Sequence, residues 1–410
     1  RVNAALQHIQ PDRVPLDLGS SAVTGMSAAS VYLLRQALQL DPPGTPVRVV
    51  EPYQMLGEIA ADLVDALGVD VLPLGKRETM FGFRNEGWKA WNFNGTPVLV
   101  PDGFNTLFEP DGSLLLYPDG DRAAPPSGKM PAGGYYFDSI IRQPPIDEDK
   151  LDPADNLEEF GPISDDNLAY FAAEAEHLYT TTDKAVLANF GGTAFGDIAL
   201  VPAPWLKHPK GIRDVAEWYI STASRRDYVY AIFERQCEIG LANLERIHEV
   251  VGDRVTAVFV TGTDFGTQSA PFISPKAYRT LFMPFHKAVN EWIHRRTGWK
   301  SFMHSCGSVA LLLPHFVEAG FDILNPVQTS AAGMDPGWLK DQFGSALTFW
   351  GGGVDTQKTL PFGTPEQVHA EVKERMRIFG AGGGFVFNPI HNVQAGTPIE
   401  NLLALYEAVK

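Results

Sequence analysis

Cysteine is almost missing from this chain: Cys237 and Cys306 are the only two among 410 residues. Two thiols cannot build a disulfide scaffold, and their scarcity fits a reducing compartment. Long apolar runs are missing too. No stretch is long enough to cross a bilayer as a helix, and no secretory leader is evident. Positive charge is in short supply: 33 Lys and Arg stand against 49 Asp and Glu, a net charge of −16, with no basic run. Nucleic acid and anionic membrane are poor partners for such a surface. Apolar residues, by contrast, make up 44% of the chain, enough to bury a full core. These balances predict a cytoplasmic globular protein, one large domain with room for an insertion.

Short apolar runs alternate with helical patterns along most of the chain. The runs are Val14–Gly19, Gly68–Leu74, Ala185–Thr193, Thr256–Asp264, Ser301–Val309, Asp322–Gln328, Leu347–Asp355 and Gly384–Val393. Helical patterns separate them, among them Ser27–Leu40, Glu51–Leu67, Ser164–Thr181, Gly211–Gly252 and Val309–Ala319. Thr364-Pro365-Glu366-Gln367 reads as a capping box with Pro at the first helical position, and Thr397-Pro398-Ile399-Glu400 repeats the signal. One segment, about 76–145, breaks the alternation. There aromatic residues alternate with Asn94-Gly95, Asp102-Gly103, Asp111-Gly112 and Asp119-Gly120, the signature of hairpins, and Pro125–Gly134 reads as a loop. Eight strands with crossover helices predict a (β/α)8 TIM barrel, a single domain over 1–410 with a β-rich insertion at 76–145 after the second strand. A doubly wound open sheet is the alternative, but no G-x-G-x-x-G follows the first strand.

In such a barrel the reacting groups come from strand C-termini. Those ends carry Asp17, Asn189, Asp264, His304 with Cys306, Gln328, Asp355 and His391. The stretch SFMHSCGSV sets an imidazole and a thiol two residues apart, on one side of a strand. With His391 on the last strand, His304, Cys306 and His391 make three ligands for a soft divalent metal such as Zn2+, with a position left open. Asp264 is placed to serve as a weak fourth ligand or to orient an imidazole. Cys237, His286 and His294 lie in helical runs, and the two histidines are expected to be solvated. Gly351–Gly353 and Gly382–Gly384 suit a phosphate cradle or a tight turn equally well.

The opening RVNAALQHIQPDRVPLDLG, the central HSCGSVALLLPHFVEAGFDILNPVQ and the closing GTPIENLLALYEAVK resemble the uroporphyrinogen decarboxylase superfamily, most of all its cobamide-dependent methyltransferase branch. The likeness spans nearly the whole chain and is weakest across the β-rich segment. The resemblance implies a (β/α)8 barrel, a cobamide carried by a separate corrinoid protein, and homodimers as the family's habit. True decarboxylases of the family are metal-free and grip substrate carboxylates through an Arg-rich segment after the first strand. Here that place reads GSSAVTGM, without Arg. The methyltransferases carry H-x-C and a further Cys shortly before a G-T-P helix start; this chain keeps His304-Ser305-Cys306 and Gly396-Thr397-Pro398 but has His391 in the Cys position. No D-x-H-x-x-G corrinoid signature occurs.

These features predict a zinc-dependent transfer of methyl from a small donor, favoured as an O-methyl ether and possibly methoxyaromatic, to cobalt. Asp264, Gln328 and Asp355 are assigned to catalysis. Phe265, Gln268, Trp350 and Asn189 are assigned to substrate binding, with Phe265 and Trp350 as walls for a ring. Transfer from the corrinoid to a thiol or folate, a metal-free decarboxylase using Asp264 and His391, and a non-catalytic binding protein are the alternatives.

Overall fold

The computed structural model describes residues 1–410. Its central sheet has seven strands, all parallel, and each sits beside the next in sequence: Val71–Leu74, Ala185–Ala188, Ala257–Thr261, Lys300–His304, Ile323–Asn325, Thr348–Trp350 and Phe385–Val386. The ring closes through Pro15–Asp17. Leu16 bridges Phe387 in parallel, and Asp17 N–H donates to Phe387 O while Phe387 N–H donates to Pro15 O, both at 2.8 Å. On the other side Asp70 N–H donates to Leu16 O at 2.8 Å. The architecture is therefore a (β/α)8 barrel whose first strand is shorter than Val14–Gly19. Pro15 lacks a donor, and Leu16 N–H is taken by the Asp70 carboxylate at 2.9 Å.

Each of the seven strands sends at least one side chain into the barrel: Val71, Leu187, Ala257, Phe302, Ile323, Trp350 and Val386, with Ala185 and Phe259 packed against them. Large rings meet small neighbours, with Phe302 and Trp350 edge-to-face at 5.5 Å. The short helix Val2–Leu6 adds Val2, Ala5 and Leu6 to this cluster, and Ala5 O accepts Gly384 N–H at 2.9 Å, just before the last strand begins. The N-terminal end of the barrel is thus plugged, and only the C-terminal end is open. A larger core of 82 buried residues fills the layer between sheet and helices. The helices start where polar caps allow, as at Ser164, Ser274 and Asp335. The Thr364–Gln367 capping box forms in both directions. Thr397 does not cap: its hydroxyl turns back to Gln394 O, and the last helix begins after Pro398.

The pattern over Glu51–Leu67 misled. Val47–Glu51 and Leu56–Gly57 are strands, and only Ala61–Leu67 is helical. Valines at 47, 49 and 50 favour the pleated surface, and Glu51 turns the chain by accepting Tyr53 N–H and Gln54 N–H. Two of the predicted turns make tight hairpins: Asn94 and Gly95, both at positive φ, join Lys89–Phe93 to Thr96–Val100, and Asp111-Gly112 joins Thr106–Phe108 to Leu114–Leu116. Asp102-Gly103 instead links strands of different sheets, and Asp119-Gly120 lies in a 3-10 turn. A second sheet orders Thr106–Phe108, Leu114–Leu116, Gly128–Met130 and Asp138–Ser139, so Pro125–Gly134 holds a strand and is not wholly loop. No helix is long and apolar enough to cross a membrane.

His286, expected at the surface, is fully buried. Its ring sits among Phe195, Phe265, Phe282 and Phe321, and its Nδ1 shares a hydrogen bond with the Tyr278 hydroxyl at 3.0 Å. Burial depresses its pKa to about 3. A folded-state value below the unfolded one means that the stabilising contribution is complete above about pH 6.5 and is lost as pH falls toward 3, at up to about 1.4 kcal/mol per pH unit. A His286→Phe variant is expected to lose less melting temperature than wild type between pH 7 and 4.5. Parallel losses would assign the acid limb to other groups.

Candidate metal centre

His304 is the last residue of the Lys300–His304 strand, and Asn325 ends the strand beside it. The Asn325 amide N–H donates to Trp350 O at 2.8 Å, which leaves Asn325 Oδ1 as an acceptor for His304 Nδ1–H at 2.6 Å. That pairing fixes the tautomer, so the free lone pair of His304 is on Nε2. Cys306 lies just past the strand, not on it, and its Sγ sits 3.3 Å from that Nε2.

The loop around the thiol is held from both sides. Asp264 Oδ1 accepts Cys306 N–H at 2.7 Å, and Gln328 Oε1 accepts Gly307 N–H at 2.7 Å. Gly307, at φ +87°, lies directly against the backbone of Gly266, where a Cβ would come within 2.5 Å of Cys306 O. Small residues at 266 and 307 let two strand-end loops touch.

His391 also lies off its strand, in the loop after Phe385–Val386. Two asparagines anchor that loop to the segment following the first strand. Asn388 Nδ2 donates to Asp17 O and Thr24 O; Asn392 Nδ2 donates to Ala22 O and Gln54 Oε1, while its Oδ1 accepts Gly25 N–H at 2.6 Å. The outcome is convergence. One ligand atom each from His304, Cys306 and His391 lies within 4.8 Å of the others, with the two rings 5.6 Å apart.

Burial depresses the His304 pKa, partly offset by Asp264, and takes that of His391 to about 3, with His304 adding to the depression. Both imidazoles are therefore neutral, the form that donates to a metal. Burial and the Asp264 carboxylate push the Cys306 thiol well above its ordinary value, so only a nearby cation would make it a thiolate. Tetrahedral zinc holds N and S ligands about 3.3–3.8 Å from one another, and the His304–Cys306 separation is already in that range. Two nitrogens, one sulfur and no competing cation fit a soft divalent ion.

A cavity of about 350 Å³ opens beside the cluster, lined by residues that include Gly266, Gln268, Cys306, Gln328, Gln357 and His391. Of the residues assigned from the sequence, Gln268 and Gln328 line it, and Asp264 stands 3.8 Å from His304 Nε2. Asp355 is buried one layer back, accepting Gln357 N–H and Lys358 N–H and so shaping the turn that presents Gln357. Asn189 accepts Gly191 N–H within its own loop.

Two assignments are corrected. Trp350 points into the barrel interior, bonded through Nε1 to Asp17 Oδ2 at 2.8 Å, and Phe265 points outward onto Tyr278, Phe282 and Phe316; neither walls the cavity. Asp17 itself is fully buried, its pKa raised to about 6 by burial. Both glycine runs are close backbone approaches: Gly352 meets Val327 O, and Gly383 meets the backbone of Ile9 at the plugged end. Cys237 is buried on the helix Arg226–Val251, and His294 pairs with Asp322 at 2.7 Å. Sequence reasoning missed Asn325, Asn388 and Asn392, whose asparagine-rich setting near strand ends was the one available signal.

Residues 242–410 match the sequence model of the family described as uroporphyrinogen decarboxylase (URO-D). A methylated-thiol–coenzyme M methyltransferase of Methanosarcina mazei is 25% identical over 216 residues, 52% of each chain; the match spans about half the length of that relative. A uroporphyrinogen decarboxylase of Trichodesmium erythraeum is 23% identical over 313 residues, 74% of this chain and 78% of its own. Among solved structures, a methyltransferase from Methanosarcina mazei superposes over 100% of this chain and 96% of its own, with a TM-score of 0.52 and 14% identity, a likeness of fold. The segment that holds His304, Cys306 and His391 thus lies within the match to the uroporphyrinogen decarboxylase model, in a chain similar both to decarboxylases and to a methyltransferase.

Proposed function

We propose that this protein is a zinc-dependent methyltransferase that takes a methyl group from an O-methyl ether and passes it to the cobalt of a reduced corrinoid on a separate protein. The observation that carries the reading is the convergence of His304, Cys306 and His391 at the open end of the barrel. These three would hold the ion. When bound, zinc supplies Lewis acidity to the oxygen that departs, which otherwise leaves poorly near neutral pH.

The chain's own groups do the rest. Asn325 keeps His304 in its donating tautomer, and Asp264 and Gln328 hold the Cys306–Gly307 backbone in place. The Asp264 side chain, 30% exposed beside His304, is positioned to relay a proton from solvent to the leaving oxygen. Gln268 and Gln357 line the donor's cavity. In the transfer the C–O bond breaks and a Co–C bond forms. Cobalt(I) supplies the electron pair and becomes formally cobalt(III), and the oxygen keeps the C–O pair and takes up a proton.

Ligand charge favours an oxygen donor over a thiol. One thiolate and two neutral imidazoles leave a formal +1 (+2 − 1), whereas two thiolates and one imidazole leave zero (+2 − 2) and a softer, more electron-rich ion. The coenzyme M methyltransferase relative is the support for the second reading, methyl transfer to a thiol. Purified protein given a reduced corrinoid protein and a panel of methyl ethers, thioethers and free thiols decides between them. Methylcobalt absorbance appearing with an ether is the expected result. Transfer confined to thiols would reverse the direction, and no transfer with any donor would sink both.

A further inference from the structure

Apart from Cys306 and His391, the side chains lining the cavity are those of Thr267, Gln268, Gln328, Thr356, Gln357 and Ile390. None of the six is charged, and none carries a ring. Phe265 and Trp350 face elsewhere, so a methoxyaromatic ring would find no flat apolar wall here. A carboxylate would find no ammonium or guanidinium among these residues to pair with. The volume, about 350 Å³, lies near the lower end for ligand pockets and suits a small molecule.

One of these polar groups is held rigidly. Gln268 and Gln357 are exposed and can turn with the solvent, but only 5% of Gln328 is exposed. Its Oε1 accepts Gly307 N–H at 2.7 Å. A backbone N–H can only donate, so the amide oxygen must face it and the Gln328 side chain cannot be turned round. Its Nε2 then faces away from that peptide. No protein group accepts from Nε2, and it opens onto the cavity that Cys306 and His391 also line. Gly307 adjoins Cys306 in the chain, which sets this N–H donor close to the thiol.

We infer that the substrate is a small, uncharged, aliphatic methyl ether with a second oxygen two or three carbons from the first, and that Gln328 Nε2–H donates to that second oxygen. The inference rests on the methyltransferase reading above and adds the substrate class and the residue that selects it. A substrate that fills the cavity displaces the water that would otherwise pair with Nε2. If it brings no acceptor, a buried N–H is left without a partner. Sites built this way reject the analogue that lacks the matching group, here by about 10- to 100-fold in affinity.

Ligand-observed NMR titration of the zinc-loaded protein tests this without the corrinoid. The probes are 1,2-dimethoxyethane and 3-methoxypropan-1-ol against 1-methoxybutane, which has the same length and one oxygen, with methoxybenzene and methoxyacetate as the aromatic and anionic comparisons. At least one of the two dioxygenated ethers is expected to bind about 10- to 100-fold more tightly than 1-methoxybutane, and more tightly than the ring or the anion. Gln328→Glu keeps an oxygen for Gly307 N–H but puts a second acceptor where the amide N–H stood. Any preference for 1,2-dimethoxyethane, which can only accept, should vanish there; a Gln328 that merely braced the loop would let it persist. Should the variant lose zinc or fail to fold, the wild-type comparison decides. Binding of both dioxygenated ethers no tighter than that of 1-methoxybutane, no binding by either, or tighter binding of methoxybenzene or methoxyacetate overturns the inference. So does a preference for 1,2-dimethoxyethane that persists in folded, zinc-loaded Gln328→Glu. Methyl transfer from methoxybenzene with both dioxygenated ethers inert would overturn it and spare the preceding reading, whereas the expected selectivity without methyl transfer would count against that reading alone.

Discussion

Zinc content should fall from about one ion per chain to below a tenth in a Cys306→Ala variant, and methyl transfer should fall at least about 1,000-fold with it. The thiol is the only one of the three donors able to bring negative charge, and a site of two neutral imidazoles holds a divalent ion far less firmly. The fold itself should persist. Cys306 sits past the end of its strand, and the backbone bonds to Asp264 and Gln328 do not involve the thiol. Melting curves separate the effects. Binding to the folded state alone stabilises by about 2.7 kcal/mol when free ion stands at 100 times its dissociation constant. Wild type should therefore melt lower after treatment with a chelator, and Cys306→Ala should melt at one temperature with or without zinc. Full zinc occupancy in that variant would remove the thiol from the ligand set, and with it the charge argument for an oxygen donor.

His391→Cys should keep zinc and change what the site prefers. A second thiolate takes the formal charge from +1 to zero, so ether demethylation is expected to drop by about 100-fold while methylation of a thiol rises. A cysteine side chain is shorter than a histidine, and the loop that carries it is pinned by Asn388 and Asn392. His391→Ala is therefore the control: loss of both activities there, against a changed ratio in His391→Cys, isolates ligand charge from loop movement. An ether-to-thiol ratio that stays constant at full zinc occupancy would show that charge at this position does not select the substrate.

The barrel was legible wherever a strand is a plain apolar run bounded by turn residues, as in Ala185–Ala188 and Ala257–Thr261. It was hardest to read where side chains replace backbone pairing. The first strand is short because the Asp70 carboxylate takes the Leu16 N–H, a contact 54 residues away in sequence. The convergence of His304, Cys306 and His391 was legible because histidine and cysteine are rare here and their types point to one candidate chemistry. Which way an aromatic faces was not. Phe265 lies past the end of its strand, where loop packing sets its direction, whereas Trp350 ends its own strand facing inward, so the two point to opposite sides of the sheet. Asparagines 325, 388 and 392 stayed hidden for a related reason: an amide means nothing until its partner across the strand is known.

The plug made by Val2, Ala5 and Leu6 leaves the barrel with a single doorway. On the proposed reading a flat macrocycle seated over that doorway would seal it, so a donor would have to be inside before the corrinoid carrier arrived, and the demethylated alcohol would depart only after the carrier lifted away. The order of traffic would then be written into the architecture, with the opening stanza of the chain, far from any reacting atom, acting as the stopper that enforces it.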